Sequence, residues 1–380
     1  MLDNSLKFSS DGKLRIMVVS DPQDLKFIRP SMVYMLNTAY DNYKPDVVLF
    51  NGDNILGNHL LDARIGSRKV AEGKEATLAA MTEALYKLLK PVDDRGIPFA
   101  MVYGNHDDMN LLTKEEQIEI YRSYKNCMQM NVSDDSVDCD TFVIKIYSPN
   151  GKLAFAVYML DSAWQDKIGE RHTVTEIKKE TVDWFEKTSA ALREENGGKP
   201  VPAVMLMHIP LPEINELLEE CGKDDIGSVE VTPGVYKRLN SVKAKGYLKE
   251  NPSVSDNENG LFEKIKADSG VKAIVFGHDH TNCFEGEVDG IKIWQTGAAS
   301  FRCYGSSDTK GVRLIDIDES GNVETKFLTY YDIVGKTPVN KFRYVFDADE
   351  YAVKKFTTLG ALAAVALTAA GIKTYKKLKK

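Results

Sequence analysis

Pro98-Phe-Ala-Met-Val-Tyr103 runs directly into Gly104-Asn-His-Asp107. An apolar run of this length, with aromatic and β-branched side chains, predicts a buried strand, and the polar cluster stands where that strand must stop. The same succession recurs upstream. Lys13-Leu-Arg-Ile-Met-Val-Val-Ser20 ends at Asp21-Pro-Gln23, and Asp46-Val-Val-Leu-Phe50 ends at Asn51-Gly-Asp53. Helical spacing fills the intervals, through Met32–Tyr40 and over Glu75–Leu89, with Pro91 expected to end the second helix. Strand, helix, strand, helix, strand at these lengths predicts βαβ units and a largely parallel sheet.

Downstream the pattern changes. Thr141–Tyr147 and Leu153–Leu160, separated by Pro149-Asn-Gly151, predict a hairpin. Glu176–Arg193 predicts an amphipathic helix carrying Trp184 and Phe185, and Val201–Met207 another buried strand. Ala273–Phe276, Ile291–Trp294, Val312–Ile317 and Val323–Leu328 give a second strand-rich half. No internal repeat is present. The chain therefore divides into an N-terminal extension at 1–12, one folded unit at 13–335, a linker at 336–355, and an uncharged helix plus polybasic tail at 356–380. Within the folded unit, 222–259 is the most polar stretch and is expected to be a loop insertion.

Composition narrows the class. The 380 residues, 43% hydrophobic and 28% charged, suffice for one large α/β domain or two modest ones. Aromatics at 9% and 13 prolines exclude a largely disordered or collagen-like chain. The net charge of −7 argues against general nucleic-acid binding, since a phosphate backbone meets net repulsion. Five cysteines at irregular spacing, with no CxxC pair, read as free thiols in a reducing compartment. Met1 to Gly12 is polar and lacks the apolar core of a signal peptide, so a cytoplasmic location is expected.

Each strong strand ends in metal-type ligands. In chain order these are Asp21-Pro-Gln23, Gly52-Asp53-Asn54, Gly104-Asn105-His106-Asp107, Met207-His208-Ile209 and Gly277-His278-Asp279-His280. The carboxyl ends of strands in open α/β sheets face the ligand crevice, so clusters scattered in sequence converge in space. Of six histidines, four lie in these clusters; the others are His59 and His172. Carboxylates, imidazoles and a carboxamide suit two divalent ions of the Mn, Fe or Zn kind over Ca or a thiolate-bound metal. Gly52, Gly104 and Gly277 would let the backbone turn sharply beneath an ion.

This ordered set resembles the calcineurin-like metallophosphoesterase superfamily, whose motifs are D-x-H, GD, GNH-D/E, a lone H and GHxH. The resemblance spans Leu14 to Asn282 and continues to Tyr331, which makes 13–335 a catalytic domain. It implies an α/β fold, a four-layer α/β/β/α sandwich of two mixed sheets. Carried over motif by motif, it also implies that Asp21 and His280 bind one metal, that Asp53 bridges both, and that Asn105, His208 and His278 hold the second. His106 would face the substrate and assist the leaving group, with Asp107 orienting a neighbouring group.

Two departures stand out. Gln23 occupies the position of a histidine ligand, where an amide oxygen or a water would replace an imidazole. This D-x-Q variant is similar to the small purple-acid-phosphatase-like branch, yet Leu56 stands three residues after Asp53, where purple enzymes place a tyrosine. The implied activity is hydrolysis of phosphoesters, monoesters first, by a hydroxide bridging two divalent metals. The alternatives are a phosphodiesterase acting on a nucleotide or lipid headgroup, and a catalytically silent scaffold that binds a protein.

Outside the motifs, Asp161-Ser162 reads as a cap or a site contributor, and Arg302 and Tyr304 as phosphate contacts or a solvated loop. His59 and His172 are expected on the surface, and Trp164, Trp184 and Trp294 in packing roles. Phe356–Ile372 is uncharged, with Lys354-Lys355 before it and Lys373, Lys376, Lys377, Lys379 and Lys380 after it. That segment is at the short end for a membrane span; its basic flanks predict attraction to an anionic membrane surface, and the alternative is a soluble or self-associating C-terminal helix.

Overall fold

Continuous Val, Leu, Ile, Met and Phe runs become the central strands because a sheet covered on both faces leaves no room for alternating polar residues. The computed structural model describes residues 4–57, 73–128, 136–162, 176–267 and 270–348. The chain opens with β1 (Ser5–Lys7) and β2 (Lys13–Val19), then alternates α1 (Pro30–Tyr43), β3 (Val47–Asn51), α2 (Lys74–Asp93), β4 (Phe99–Val102) and α3 (Lys114–Arg122). The hairpin β5 (Phe142–Tyr147) and β6 (Leu153–Met159) follows, and α4 (Lys179–Glu195) leads to β7 (Ala203–Leu206). After a 3-10 turn come β8 (Leu218–Cys221), β9 (Val229–Thr232), β10 (Val235–Leu239) and β11 (Ala244–Tyr247). The described part ends with α5 (Leu261–Ala267), β12 (Val271–Phe276), β13 (Cys283–Val288), β14 (Ile291–Gln295), β15 (Gly311–Asp318), β16 (Val323–Thr329), α6 (Tyr330–Val334) and α7 (Pro338–Asp347).

Two large mixed sheets carry the fold. A five-stranded sheet has the order β16-β15-β2-β3-β4, in which β2, β3 and β4 run parallel. An eight-stranded sheet has the order β1-β5-β6-β7-β12-β14-β13-β11, with β6, β7, β12 and β14 parallel. Side chains alternate between cores with the period of a strand. Ile16 and Val18 enter one core with Leu206 and Val275 of the opposite sheet. Met17 and Val19 enter another, with Met35 of α1 and Leu85 of α2. On the far side, Met205 and Ile274 pack with Phe185 of α4 and Phe262 of α5. Three cores separated by two sheets make a four-layer α/β/β/α sandwich.

Three local expectations are corrected. Pro91 lies inside α2, which runs on to Asp93, because Leu88, Leu89 and Val92 are buried and hold the last turn against the core. The stretch 222–259 is not an irregular loop. It holds β9 and β10, which with β8 form a small three-stranded sheet, and β11, which pairs with β13 at the edge of the large sheet. Strands so exposed carry Lys, Glu and Arg, which is why their composition reads as loop. Within 336–355, expected to be a linker, α7 is capped by Thr337 and buries Tyr344 against Phe301 and Tyr330. The helix α3, with its capping box of Thr113 and Glu116, adds an element that the apolar periodicity does not predict. The tail at 356–380 lies outside the described residues, among which no helix is long and apolar enough to cross a membrane.

Candidate metal centre

Asp21 follows β2, Asp53 follows β3, Asn105 and His106 follow β4, His208 follows β7, and His278 and His280 follow β12. The first three strands are parallel neighbours in one sheet and the last two in the other, so all five carboxyl ends open toward one place. Asp21 and Asp53 sit at φ 47° and His278 at φ 72°, a left-handed backbone that non-glycine residues adopt at a cost of about 1–3 kcal/mol each. Gly52 also has positive φ, and a Cβ there would enter the His208 ring. Gly104 keeps an ordinary φ; it is needed because a Cβ would collide with the Asp53 carboxylate. Close approach, more than a sharp turn, sets that glycine.

Two groups of three possible ligands form. One is Asp53, His208 and His278, the other Asp21, Asp53 and His280, each with ligand atoms within 4.8 Å of one another. Asp53 belongs to both. Its Oδ1 lies 3.3 Å from His208 Nε2, and Asp21 Oδ1 lies 3.5 Å from His280 Nε2. Ser20 Oγ and the His278 N–H donate to Asp21 Oδ2 at 2.6 and 3.1 Å, which leaves Oδ1 for another partner. His208 Nδ1 is 3.0 Å from the Asn51 carbonyl, so Nδ1 carries the proton there and Nε2 is turned to the centre.

A buried polar atom without a partner is costly, so a concentration of them marks what the site is built to hold. Asp21 Oδ1, Asn105 Oδ1, His208 Nε2, His278 Nδ1 and His280 Nδ1 all lack a hydrogen-bonding partner among the described residues. Oxygen and imidazole-nitrogen donors in this number fit divalent ions of the Mn, Fe or Zn kind.

Other expected residues take different places. Gln23 donates from Nε2 to Asp53 Oδ2 at 3.0 Å, while its Oε1 lies 2.6 Å from Cys303 Sγ; it thus presents a donor to the shared carboxylate. The His106 N–H donates to Asp53 Oδ1 at 2.8 Å, and its ring Nδ1 has no partner among the described residues. Asp107 is fully buried and accepts from the N–H groups of Gly104, Asn54 and Ile55. It clamps together the loops that follow β3 and β4 and does not face solvent.

Asp161 is not at the centre; it pairs with Lys114 at 2.6 Å in a buried group with Asp108. Ser162 accepts from the Ile209 N–H and braces the turn after His208. Arg302, weighed as a phosphate contact, is bound instead to Asp24 and the Phe27 carbonyl. Tyr304 stacks on His280 with centroids 4.4 Å apart and donates to Glu250 at 2.8 Å. No spacing in the sequence links Tyr304 or Glu250 to His280. Trp184 and Trp294 are packing groups, whereas His59, His172 and Trp164 lie outside the described residues.

Electrostatics follow from this crowding. Burial alone would push the His208 imidazole down, but the Asp53 and Asp21 carboxylates outweigh it and lift it to about 10. Burial and the neighbouring His208 ring push His278 down to about 4. Burial and the charge of Asp53 push Asp107 up to about 8. Asp53 itself, despite burial, is held below the usual carboxylate range by the rings of His208 and His106.

A family profile described as calcineurin-like phosphoesterase matches residues 14–282, which take in every strand end that carries a candidate ligand. The chain belongs to the calcineurin-like phosphoesterase family. Among relatives of this phosphoesterase, "Probable inactive purple acid phosphatase 29" of Arabidopsis thaliana is 23% identical over 82% of this chain and 79% of its own length. "Phosphatase DCR2" of Saccharomyces cerevisiae is 26% identical over 73% of this chain and 42% of its own. A solved dimetal phosphatase from Danio rerio superposes with a TM-score of 0.48 at 12% identity, covering 83% of this chain and 99% of that one.

For this family member the His208 environment has a measurable consequence. With a pKa of about 10, His208 is protonated in the metal-free protein at neutral pH, and a metal can use Nε2 only after that proton leaves. Metal binding should release a proton, and apparent affinity should rise about tenfold per pH unit from about pH 6 to 9. Titration calorimetry in two buffers of different ionisation enthalpy reads the proton directly. Equal heats in both, with an affinity flat across pH, would contradict this protonation state.

Proposed function

We propose that this phosphoesterase hydrolyses phosphomonoesters with two divalent ions, Mn, Fe or Zn. The observation that supports the reading is the pair of candidate ligand groups sharing Asp53, whose members include buried polar atoms without a hydrogen-bond partner among the described residues. Asp21, Asp53 and His280 would hold one ion; Asp53, Asn105, His208 and His278 would hold the other. Bound there, the ions would supply a hydroxide nucleophile at neutral pH and offset the charge of a phosphoryl group. Asp53 is kept ionised by the imidazoles around it and oriented by N–H donors from Gln23 and His106. Held to Asp53 through its backbone N–H, His106 would be the side chain that gives a proton to the leaving oxygen. Asp107 keeps the two loops in register from below.

The Arabidopsis relative carries "inactive" in its name, so turnover is the quantity to measure. We expect about two ions per purified chain by elemental analysis, and faster release of an aryl alcohol from a monoester than from the matching diester. A chain that holds two ions yet turns over neither ester would favour the protein-binding scaffold instead. Faster diester cleavage would move the activity to phosphodiesters.

We also assign the tail at 356–380 to an anionic membrane surface on the cytoplasmic side. An uncharged stretch between lysine clusters combines apolar surface with electrostatic attraction to acidic lipid, and five free cysteines suit a reducing compartment.

A further inference from the structure

A histidine that holds a metal through one ring nitrogen is ordinarily oriented by a hydrogen bond from the other. His208 follows that rule, with Nδ1 on the Asn51 carbonyl at 3.0 Å. His280 does not. Its Nε2 lies 3.5 Å from Asp21 Oδ1, toward the centre, and its buried Nδ1 has no hydrogen-bonding partner among the described residues. What lies against this imidazole is a second ring. Tyr304 stacks on it, with centroids 4.4 Å apart and planes 21° from parallel.

Burial does not hold Tyr304 in place, since it is 54% exposed. Polar contacts do. Its hydroxyl donates to Glu250 Oε2 at 2.8 Å. Glu250 Oε1 accepts from the N–H and the hydroxyl of Thr281, both at 2.7 Å. One carboxylate thus ties the ring over His280 to the residue that follows His280. Beneath the loop, the buried Lys310 ammonium donates to the carbonyls of Ser300, Cys303 and Tyr304 at 2.6, 2.9 and 3.3 Å. Lys249, next to Glu250, reaches Ser306 Oγ at 2.9 Å and Asp308 Oδ2 at 2.6 Å. Fixing an exposed side chain costs conformational entropy, which these contacts offset, and the ring they fix lies on His280.

We propose that Tyr304 is a positioning residue. Its ring, tethered by Glu250, sets the plane of the His280 imidazole and so the direction of the nitrogen offered to the ion shared with Asp21 and Asp53. The proposal rests on the reading of His280 as a metal ligand. It also brings the polar stretch 222–259 into the site, because Glu250 lies there and outside the ligand motifs. A stack can orient the ring where a hydrogen bond is missing, because aromatic pairs keep a preferred spacing and tilt. An imidazole without that support would lose its rotational freedom only on binding, and the ion would be held more weakly.

The test withdraws metal from the full chain loaded with Mn²⁺. A chelator is added in steps, and the ions left on each chain are counted by elemental analysis. The wild type is compared with Tyr304→Phe, Tyr304→Leu and Tyr304→Ala. Tyr304→Ala should hold one of the two ions about tenfold more weakly or worse, the usual loss when a partner of a metal-bound histidine is removed. Tyr304→Phe keeps the ring and should recover most of that affinity. Tyr304→Leu fills much of the same space without a flat face and should not. Melting temperatures should stay together, because the side chain is half-exposed; if the alanine chain unfolds, the leucine chain takes its place.

Wild-type affinity in both Tyr304→Ala and Tyr304→Leu overturns the proposal. Equal loss in Tyr304→Phe and Tyr304→Ala also overturns it, since the hydroxyl tether and not the stack would then matter. Equal recovery by leucine and phenylalanine overturns it as well, leaving only filled space. A wild type that holds no ion sinks the proposal together with the two-ion reading. Two ions with no ester cleaved sinks the hydrolytic reading alone, and phenylalanine ranking above leucine and alanine still supports the role of Tyr304.

Discussion

Asp53→Asn should lower turnover by at least about 10³-fold and reduce bound metal from about two ions to one or fewer. Asp53 is the one carboxylate common to both ligand groups, so it is the place where two cations would meet one anion. Its backbone φ is 47°, and a Cβ at Gly104 would collide with its Oδ1, so the missing side chain there leaves room for the carboxylate. Asparagine has nearly the same shape, so the fold should survive, but with the negative charge gone the repulsion between two bound ions would no longer be offset.

The substitution has a second, independent readout. Much of what lifts the His208 imidazole to about 10 is the charge of Asp53, so in the variant that ring titrates lower and the proton released on metal binding shrinks. Elemental analysis, steady-state kinetics and two-buffer calorimetry on one preparation test all three. Two ions retained with unchanged turnover would remove Asp53 from the shared position.

His106→Ala should leave metal content and melting temperature intact while slowing hydrolysis by about 10²- to 10⁴-fold, the usual range for a lost proton-transfer group. Only the side chain is removed. The backbone N–H that donates to Asp53 at 2.8 Å remains, so the shared carboxylate keeps its orientation. The loss should be steepest for alcohols of high pKa, which need a proton as they leave, and smallest for nitrophenols, which do not. An equal loss across leaving groups would assign the ring to charge stabilisation. No loss at all would fit the scaffold reading.

The strands and the residue types at their ends were legible in the sequence because both are local properties. Apolar runs ending in Asp, Asn or His at Asp21, Asp53, Asn105, His208 and His278 need only strand periodicity and the topology of parallel sheets to be brought together. The polar composition of 222–259 hid β9, β10 and β11, since strands at an exposed edge carry the same residues as loops. Charge and aromatic content around 336–355 hid α7, whose inward face rests on Phe301 and Tyr330, contacts that no window of local sequence contains.

What only the tertiary structure decided is which polar atoms are already spoken for. Arg302, free to bind phosphate as far as its neighbours show, is bound to Asp24 across 278 residues. Gln23, read as a ligand position, turns its amide nitrogen to Asp53 with Cys303 behind its oxygen, a pairing across 280 residues. Asp107, one residue from His106, is fully buried under two loops. By itself the sequence determined the donor set and the sheets that gather it, because strand period and side-chain chemistry act over a few residues. The fold decided which of those donors stays open, because a hydrogen bond is satisfied by whatever distant segment packs against it, and packing is a property of the whole chain.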